Sequence, residues 1–324
     1  MTTYLPTAWE VRQFATTSSM LAQQEMSELA PYMGTPKSGV TGPIIELEGY
    51  FGTSNDVEEV VERFASTGVG TISADRTWTV KRDFKIPSPL YDDFDDARTL
   101  LSLEGPWLMA SAAAEGRHLD RLAIGSATST DLNYKGGIFG VRYSGTTGTD
   151  TNTLPTTDYA TVKAAGGDIG TAYVVADTLD GASSPLSPVK LSAAQEILET
   201  RFVLMRSDRV NIALNARQRE EFSRHPEVLN RDFDKDISRD ENGRINRFGI
   251  FNFVPSELLP VSAGVVSLPV WIQRYLIPVY WMAQSATMLV HADRSGARQL
   301  LRKWSMNVSR LHEEGFLVVK AKNT

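Results

Sequence analysis

From Pro106 onward, hydrophobic positions recur with the period of a helix. At about 100° per residue Leu108, Ala112, Leu119 and Ala123 fall on one stripe flanked by Met109 and Leu122, with Arg117, Asp120 and Arg121 opposite. Pro106 suits the first helical position, where its missing N–H would be unpaired in any case. About 20 residues make a rod of roughly 30 Å, and the small residues Ala110 to Ala114 admit close approach of another backbone. The pattern predicts one packed face and one wet face. An ordinary amphipathic core helix would read the same way.

The polar pattern also places elements on either side of this rod. Before it, Asp92, Asp93, Asp95 and Asp96 open a short acidic helix, where carboxylates face the helix dipole favourably. Near the start of the chain Val11, Phe14, Leu21, Ala22 and Leu29 share a narrow helical face interrupted by Glu25, and Pro31 to Gly42 reads as a hinge. Asp56 to Phe64 predicts a short capped helix with Val57, Val60, Val61 and Phe64 on one side. Thr77 to Phe84 alternates, with Trp78, Val80, Arg82 and Phe84 against Thr77, Thr79, Lys81 and Asp83. A two-faced strand of this kind needs cover, because an isolated hairpin is only marginally stable in water.

Thr128 to Pro185 is rich in Gly, Thr, Ser and Asp, with strand-like runs only at Ile138 to Tyr143 and Thr171 to Ala176. It reads as hairpin excursions or as a mobile linker. Ser187-Pro188 then starts a helix with Leu191, Ala194, Leu198 and Phe202 on its packing face and Glu196 and Glu199 outward. Val210, Ile212 and Leu214 alternate as a strand, and Asn215 with Gln218 caps a helix from Ala216 to Phe222 that His225-Pro226 stops. Glu227 to Asn242 mixes both charge signs as a solvated loop or a contact between subunits. Asn242-Gly243 marks a turn into a strand from Arg244 to Val254 that passes through Gly249. Tyr275 to Val290 reads as a buried strand and a short helix, with further strands at Leu300 to Val308 and Gly315 to Lys320.

Composition narrows the functions. With 324 residues, 42% of them hydrophobic, the chain can bury a core of one large domain or two. The absence of Cys excludes disulfides, thiolate nucleophiles and Cys-based zinc sites, and fits a reducing cytoplasm. The N-terminus lacks the basic and apolar regions of a signal peptide, so no export is expected. The most apolar region, Val270 to Val290, carries Gln273, Arg274, Pro278 and Gln284, which suits buried protein and predicts no membrane span. A net charge of −6 and the lack of any Lys/Arg-rich block argue against sequence-specific nucleic-acid binding.

No catalytic constellation survives inspection. Asp232, Asp234 and Asp236 imitate the start of a calcium loop, but Ile237 stands where Gly is needed and Gly243 where a bidentate Glu is needed. Gly68-Val69-Gly70 lacks the third Gly of a dinucleotide fingerprint, and no phosphate-binding Lys-Ser/Thr follows a Gly-rich turn. His312-Glu313 has no second His at helical spacing, and no Gly-x-Ser-x-Gly elbow is present. No cofactor, metal site or enzymatic activity is expected.

Three separated segments share one resemblance. Residues DDFDDARTLL followed by a small-residue helix with GR.LD resemble the spine-helix region of tailed-bacteriophage major capsid proteins with the Hong Kong 97 fold. RQFATTSSMLAQQEMSEL, from Arg12 to Leu29, is similar to the N-terminal arm of one branch of those proteins. NGRINRFGIFNFVPSELLP resembles the hairpin near the end of their axial domain, with Ile250 inserted between Gly249 and Phe251.

The resemblance implies an α+β fold: an N-terminal arm (1–43), an extended loop over a neighbouring subunit (44–88) and a peripheral domain with the spine helix and inserted hairpins (89–185). An axial domain (186–268) and a return to the peripheral domain (269–324) complete it, the last strand pairing beside the spine helix. It implies a coat protein that self-assembles into an icosahedral head around double-stranded DNA, without sequence-specific binding and without membrane contact. Its partners would be copies of itself in hexamers and pentamers, a scaffolding protein, the portal and a cement protein. It would reside in the virion after assembly in the host cytoplasm. Trp78, Arg82, Phe84, Arg117, Asp120 and Arg121 are the candidate contacts between subunits. The alternatives are another phage structural or tail protein, or a hydrolase with an α/β core.

Overall fold

Hydrogen-bonded pairing distributes the described residues over three sheets and one long helix. A computed structural model describes residues 26–53, 72–90, 104–125, 136–144, 150–205, 208–229, 237–241, 243–294 and 296–323. The arm before Met26, the Asp56 to Phe64 helix, the acidic helix from Tyr91 and the Asp232 to Asp236 run lie outside the described residues.

A 3₁₀ turn at Ala30–Tyr32 leads into β1 (Lys37–Ser38), β2 (Ile44–Thr53), β3 (Ile72–Val80) and β4 (Asp83–Pro87). Helix α1 (Glu104–Ile124) is followed by β5 (Arg142–Ser144), β6 (Asp150–Asn152), α2 (Tyr159–Ala164) and β7 (Val174–Val175). Next come α3 (Pro188–Thr200), β8 (Val210–Leu214), α4 (Ala216–Ser223) and α5 (Pro226–Leu229). Strands β9 (Ile237–Arg239), β10 (Ile245–Phe248), β11 (Phe251–Pro255), β12 (Val261–Ser262) and β13 (Val265–Ile272) continue the chain. It ends with β14 (Leu276–His291), β15 (Ala297–Arg310) and β16 (Phe316–Lys322).

The largest sheet has the order β7-β16-β13-β8-β11-β10-β9, with β12 paired to β13. Its centre is dry because both faces are covered: all five residues of β8 are buried, and the run Leu268 to Ile272 in β13 is buried throughout. Continuous apolar strands of this kind are what a two-sided core requires. Helix α3 covers this sheet with Leu191, Ala194, Ile197 and Leu198, each at most 1% exposed, and each of the Leu and Ile side chains contributes about 1.5–3 kcal/mol by leaving water. Both helix starts follow the expected caps, Ser187 accepting from the Lys190 amide at 3.4 Å and Asn215 from the Gln218 amide at 2.8 Å.

Several expectations are corrected. Phe202 does not continue the packing face of α3: the helix ends at Thr200, and Phe202 takes a φ of 53° that turns its side chain out to 93% exposure. The strand from Thr77 to Phe84 is two strands in two sheets. Lys81 donates its amide to Pro43 while the Arg82 carbonyl accepts from Met306 at 3.0 Å, so the chain changes partners there. Its polar face is the buried one: Thr77 is 0% exposed and its hydroxyl donates to the Leu311 carbonyl at 3.0 Å, which removes the penalty for burying it.

Gly249, with φ +55°, breaks the expected strand from Arg244 to Val254 into the hairpin β10–β11. The expected strand and short helix across Tyr275 to Val290 form the single 16-residue strand β14, buried at Leu276 to Val279 and exposed from Met282 to Met288. Strand β16 pairs with β13 and β7 in the large sheet and does not join the sheet of β14 and β15. The Gly- and Thr-rich region contains helix α2, whose cap Asp158 accepts from the Thr161 amide.

Candidate interaction surfaces

Helix α1 organises its surroundings through polar contacts as much as apolar ones. Its buried positions are Ser111, Ala113, Glu115, Asp120, Leu122, Ala123 and Ile124. The stripe Ser111, Glu115, His118 and Leu122 has helical spacing, but it lies rotated from the apolar stripe legible in the sequence; Leu108 and Met109 are 36% and 62% exposed. Glu115 pairs with Arg302 of β15 at 2.9 Å, and Arg302 also reaches the Ser111 hydroxyl at 3.4 Å. Burial pushes the Glu115 carboxyl above its ordinary value while the Arg302 charge opposes that shift.

Asp120 is the clearest departure from expectation. Predicted on the wet face as a contact between subunits, it is 2% exposed and its carboxylate accepts from the Ser27 hydroxyl, the Glu28 amide at 3.1 Å and the Leu29 amide at 3.1 Å. One turn away, Gly116 lets the same segment approach: a Cβ there would stand 2.8 Å from the Ser27 nitrogen. The base of the N-terminal segment is therefore seated on α1 by a buried charge and a missing side chain. Arg121 is exposed, and Arg117 is half-buried.

The other predicted contact residues divide in the same way. Phe84 packs inside the chain, its ring 4.2 Å from the His118 ring and 6.0 Å from Trp304. Burial among these aromatic rings, with Arg121 adding to it, pushes the His118 imidazole down to about 4. Trp78 is half-buried and registers with Tyr143 across β3 and β5, and Arg82 is half-buried at the crossover between sheets.

A second anchor lies under the 136–152 segment. Arg310 is 1% exposed and donates to the carbonyls of Gly137, Ile138, Gly140 and Asn152. Burial lowers its guanidinium to about 10, against the charge of Glu313. Among the described residues no group of three or more His, Asp or Glu is placed to hold a metal ion, and no helix is long and apolar enough to cross a membrane. The described surface thus offers long hairpins and anchored segments for association.

The sequence model of the phage capsid protein family matches residues 6–323. The chain belongs to the phage capsid protein family. No curated protein matches it significantly. Its fold is that of solved phage capsids at low identity. The capsid of cyanophage Pam1 superposes with a TM-score of 0.66 at 10% identity, covering 100% of this chain and 99% of that one. The capsid of cyanophage P-SCSP1u gives 0.63 at 11% identity over 99% and 94%, and that of the Myoviridae phage XM1 gives 0.59 at 11% over 98% and 99%. The role is structural: this is a major capsid protein, a virion component that assembles with copies of itself.

For this capsid protein the exposed apolar surface acquires a meaning that sequence reasoning missed. In the outer half of β14, Met282, Met288 and Val290 are 40%, 41% and 66% exposed. β1 pairs with β14 only at Val279 and Tyr280, which leaves the edge beyond them open among the described residues. Lack of charge in this run signals burial under either the chain's own core or a neighbour. Phe202 and Met205, which follow the end of α3, are also exposed, at 93% and 58%.

Proposed function

We propose that this capsid protein builds the icosahedral head shell of a tailed phage from hexamers and pentamers and encloses double-stranded DNA without reading its sequence. The observation that supports this best is the long hairpin β14–β15. Its outer half exposes apolar side chains on an open, uncharged edge, a surface that a solitary chain would leave as an aggregation liability and a shell would cover. Burial shared among several neighbours then supplies stability beyond that of one subunit.

In this reading the hairpin β2–β3 is the extended loop that lies over a neighbour, and α1 with the β14–β15 sheet is the peripheral unit. The large sheet, including β16, is the axial unit. Trp78, Arg82, Arg117 and Arg121 remain contact candidates, joined by Phe202 and Met288; Asp120 and Phe84 are engaged within their own chain. Assembly takes place in the host cytoplasm with a scaffolding protein, a portal and a cement protein, and the chain itself performs no catalysis. The family match does not favour a tail protein or a hydrolase.

Electron microscopy of the expressed protein tests the proposal: closed shells or polyheads are expected. Monodisperse, non-assembling protein under all conditions of salt and pH, with or without the scaffold, would count against it.

A further inference from the structure

Phe202 stands one residue past the cap of α3, and its amide donates to the Glu199 carbonyl at 3.0 Å. Its φ of 53° lies in the left-handed region, where glycine or asparagine ordinarily ends a helix because a Cβ there crowds the following carbonyl. The ring gains nothing in return from its own chain, since Phe202 is 93% exposed. A strained backbone and an exposed aromatic ring at one position are two unfavourable features that nothing in the single subunit offsets.

The strain persists because both flanks are fixed. On one side Arg201 donates to the carbonyls of Gly170, Ala172, Glu314 and Phe316. On the other, Arg274 reaches the Val203 carbonyl at 2.7 Å and the Met205 Sδ at 3.0 Å while paired with Asp208 at 3.1 Å. The Met205 amide closes this turn on the Asp208 carboxylate at 2.8 Å. The ring is thus presented from a braced backbone, the pre-ordered condition under which one aromatic side chain can anchor a contact.

The same arginine borders a matching concavity. Arg274 lines an open recess of about 960 Å³, whose other walls include the apolar Met33, Tyr275, Ile277 and Leu311 and the charged Lys37 and Asp208. Projection and recess therefore adjoin on one surface. A surface that carries both is complementary to itself, because a two-fold rotation seats the projection of each copy in the recess of the other.

We propose that Phe202 is an anchor for a second copy of this chain, its ring entering the recess beside Arg274 of that copy while the reverse contact forms. This specifies one contact within the shell reading above and rests on that reading.

The test turns on two effects of opposite sign. Phe202→Asn removes the ring and suits the left-handed backbone, so it should raise the melting temperature of the free subunit by about 2–4 °C. The same variant should lower particle yield by about tenfold or more. Phe202→Tyr keeps both ring and strain, and should stay near the wild type in both measurements. Because the chain has no Cys, a cross-link can locate the contact: Met205→Cys in one population and the recess residue Thr35→Cys in another, co-assembled and mildly oxidised, should give a disulfide-linked mixed dimer. Neither variant alone should form it. Wild-type particle yield from Phe202→Asn, a lowered melting temperature in that variant, or no mixed dimer in the particles that form would overturn the proposal and leave the shell reading standing. A yield loss confined to assembly with the scaffolding protein would show that Phe202 serves the scaffold, which also overturns it. Wild-type protein that forms no particles at all would sink the shell reading, and the anchor with it.

Discussion

The carboxylate of Asp120 accepts the amide of Leu29 at 3.1 Å, joining the C-terminal part of the long helix to the base of the N-terminal segment ninety-one positions earlier. The bond is buried, and the same carboxylate holds Ser27 and the Glu28 amide. Asp120→Ala should therefore cost the free subunit about 1–3 kcal/mol, the penalty for leaving buried amide donors unpaired. Arg121→Ala, on the exposed side of the same turn, should change it by less than about 0.5 kcal/mol. Denaturant unfolding of the two variants decides; equal effects would mean that the contact carries no stability.

The rotation of α1 gives a second expectation. Leu122 is 0% exposed within the main core, whereas Leu108 is 36% exposed. Leu122→Ala should lose about 2–5 kcal/mol, and Leu108→Ala much less. Thermal unfolding of the pair measures the phase directly, and a larger loss at Leu108 would restore the phase expected from the apolar stripe.

Arg310 leads to a third. Replacing it with Met keeps the volume but removes the donors to four carbonyls, and should destabilise the subunit by about 3–5 kcal/mol. Arg310→Lys should recover only part of that, since a single ammonium cannot reproduce the forked geometry. Hydrogen exchange of the amides in 136–144 should rise in both variants. Unchanged exchange in Arg310→Met would show that the guanidinium does not anchor the segment.

The fourth concerns pH. His118 is pushed down to about 4 in the folded subunit against 6.5 when free, so between those values the unfolded chain binds the extra proton and the folded chain does not. Stability from this group is fully present above pH 6.5 and is lost as pH falls toward 4. Glu115, raised by burial, works in the opposite sense, since its folded form holds a proton that the unfolded chain releases. The melting temperature of His118→Phe should accordingly depend less on pH across that window than that of the wild type. An identical pH dependence in the two proteins would remove His118 from the account.

What the sequence alone determined is what neighbours along the chain decide. Helix starts at Ser187 and Asn215 and the strand at Val210 to Leu214 depend on caps and periods carried within a few residues, and they were readable. The capsid family was readable too, from three short segments taken together.

What only the tertiary structure decided is which surfaces those elements meet. The apolar stripe of α1 is weak because small residues fill it, so Glu115, His118 and Asp120 set the helix rotation through Arg302, Phe84 and the Ser27 to Leu29 turn, all distant in sequence. An uncharged run such as β14 looks the same whether its own core or a neighbour is to cover it, and only the pairing shows that β1 reaches no further than Tyr280. Arg209, Arg219, Arg244 and Arg247 form no basic block in the chain. Parallel pairing of β8 with β11, and antiparallel pairing of β11 with β10, brings them to one cleft, because strand register links residues that no local pattern connects.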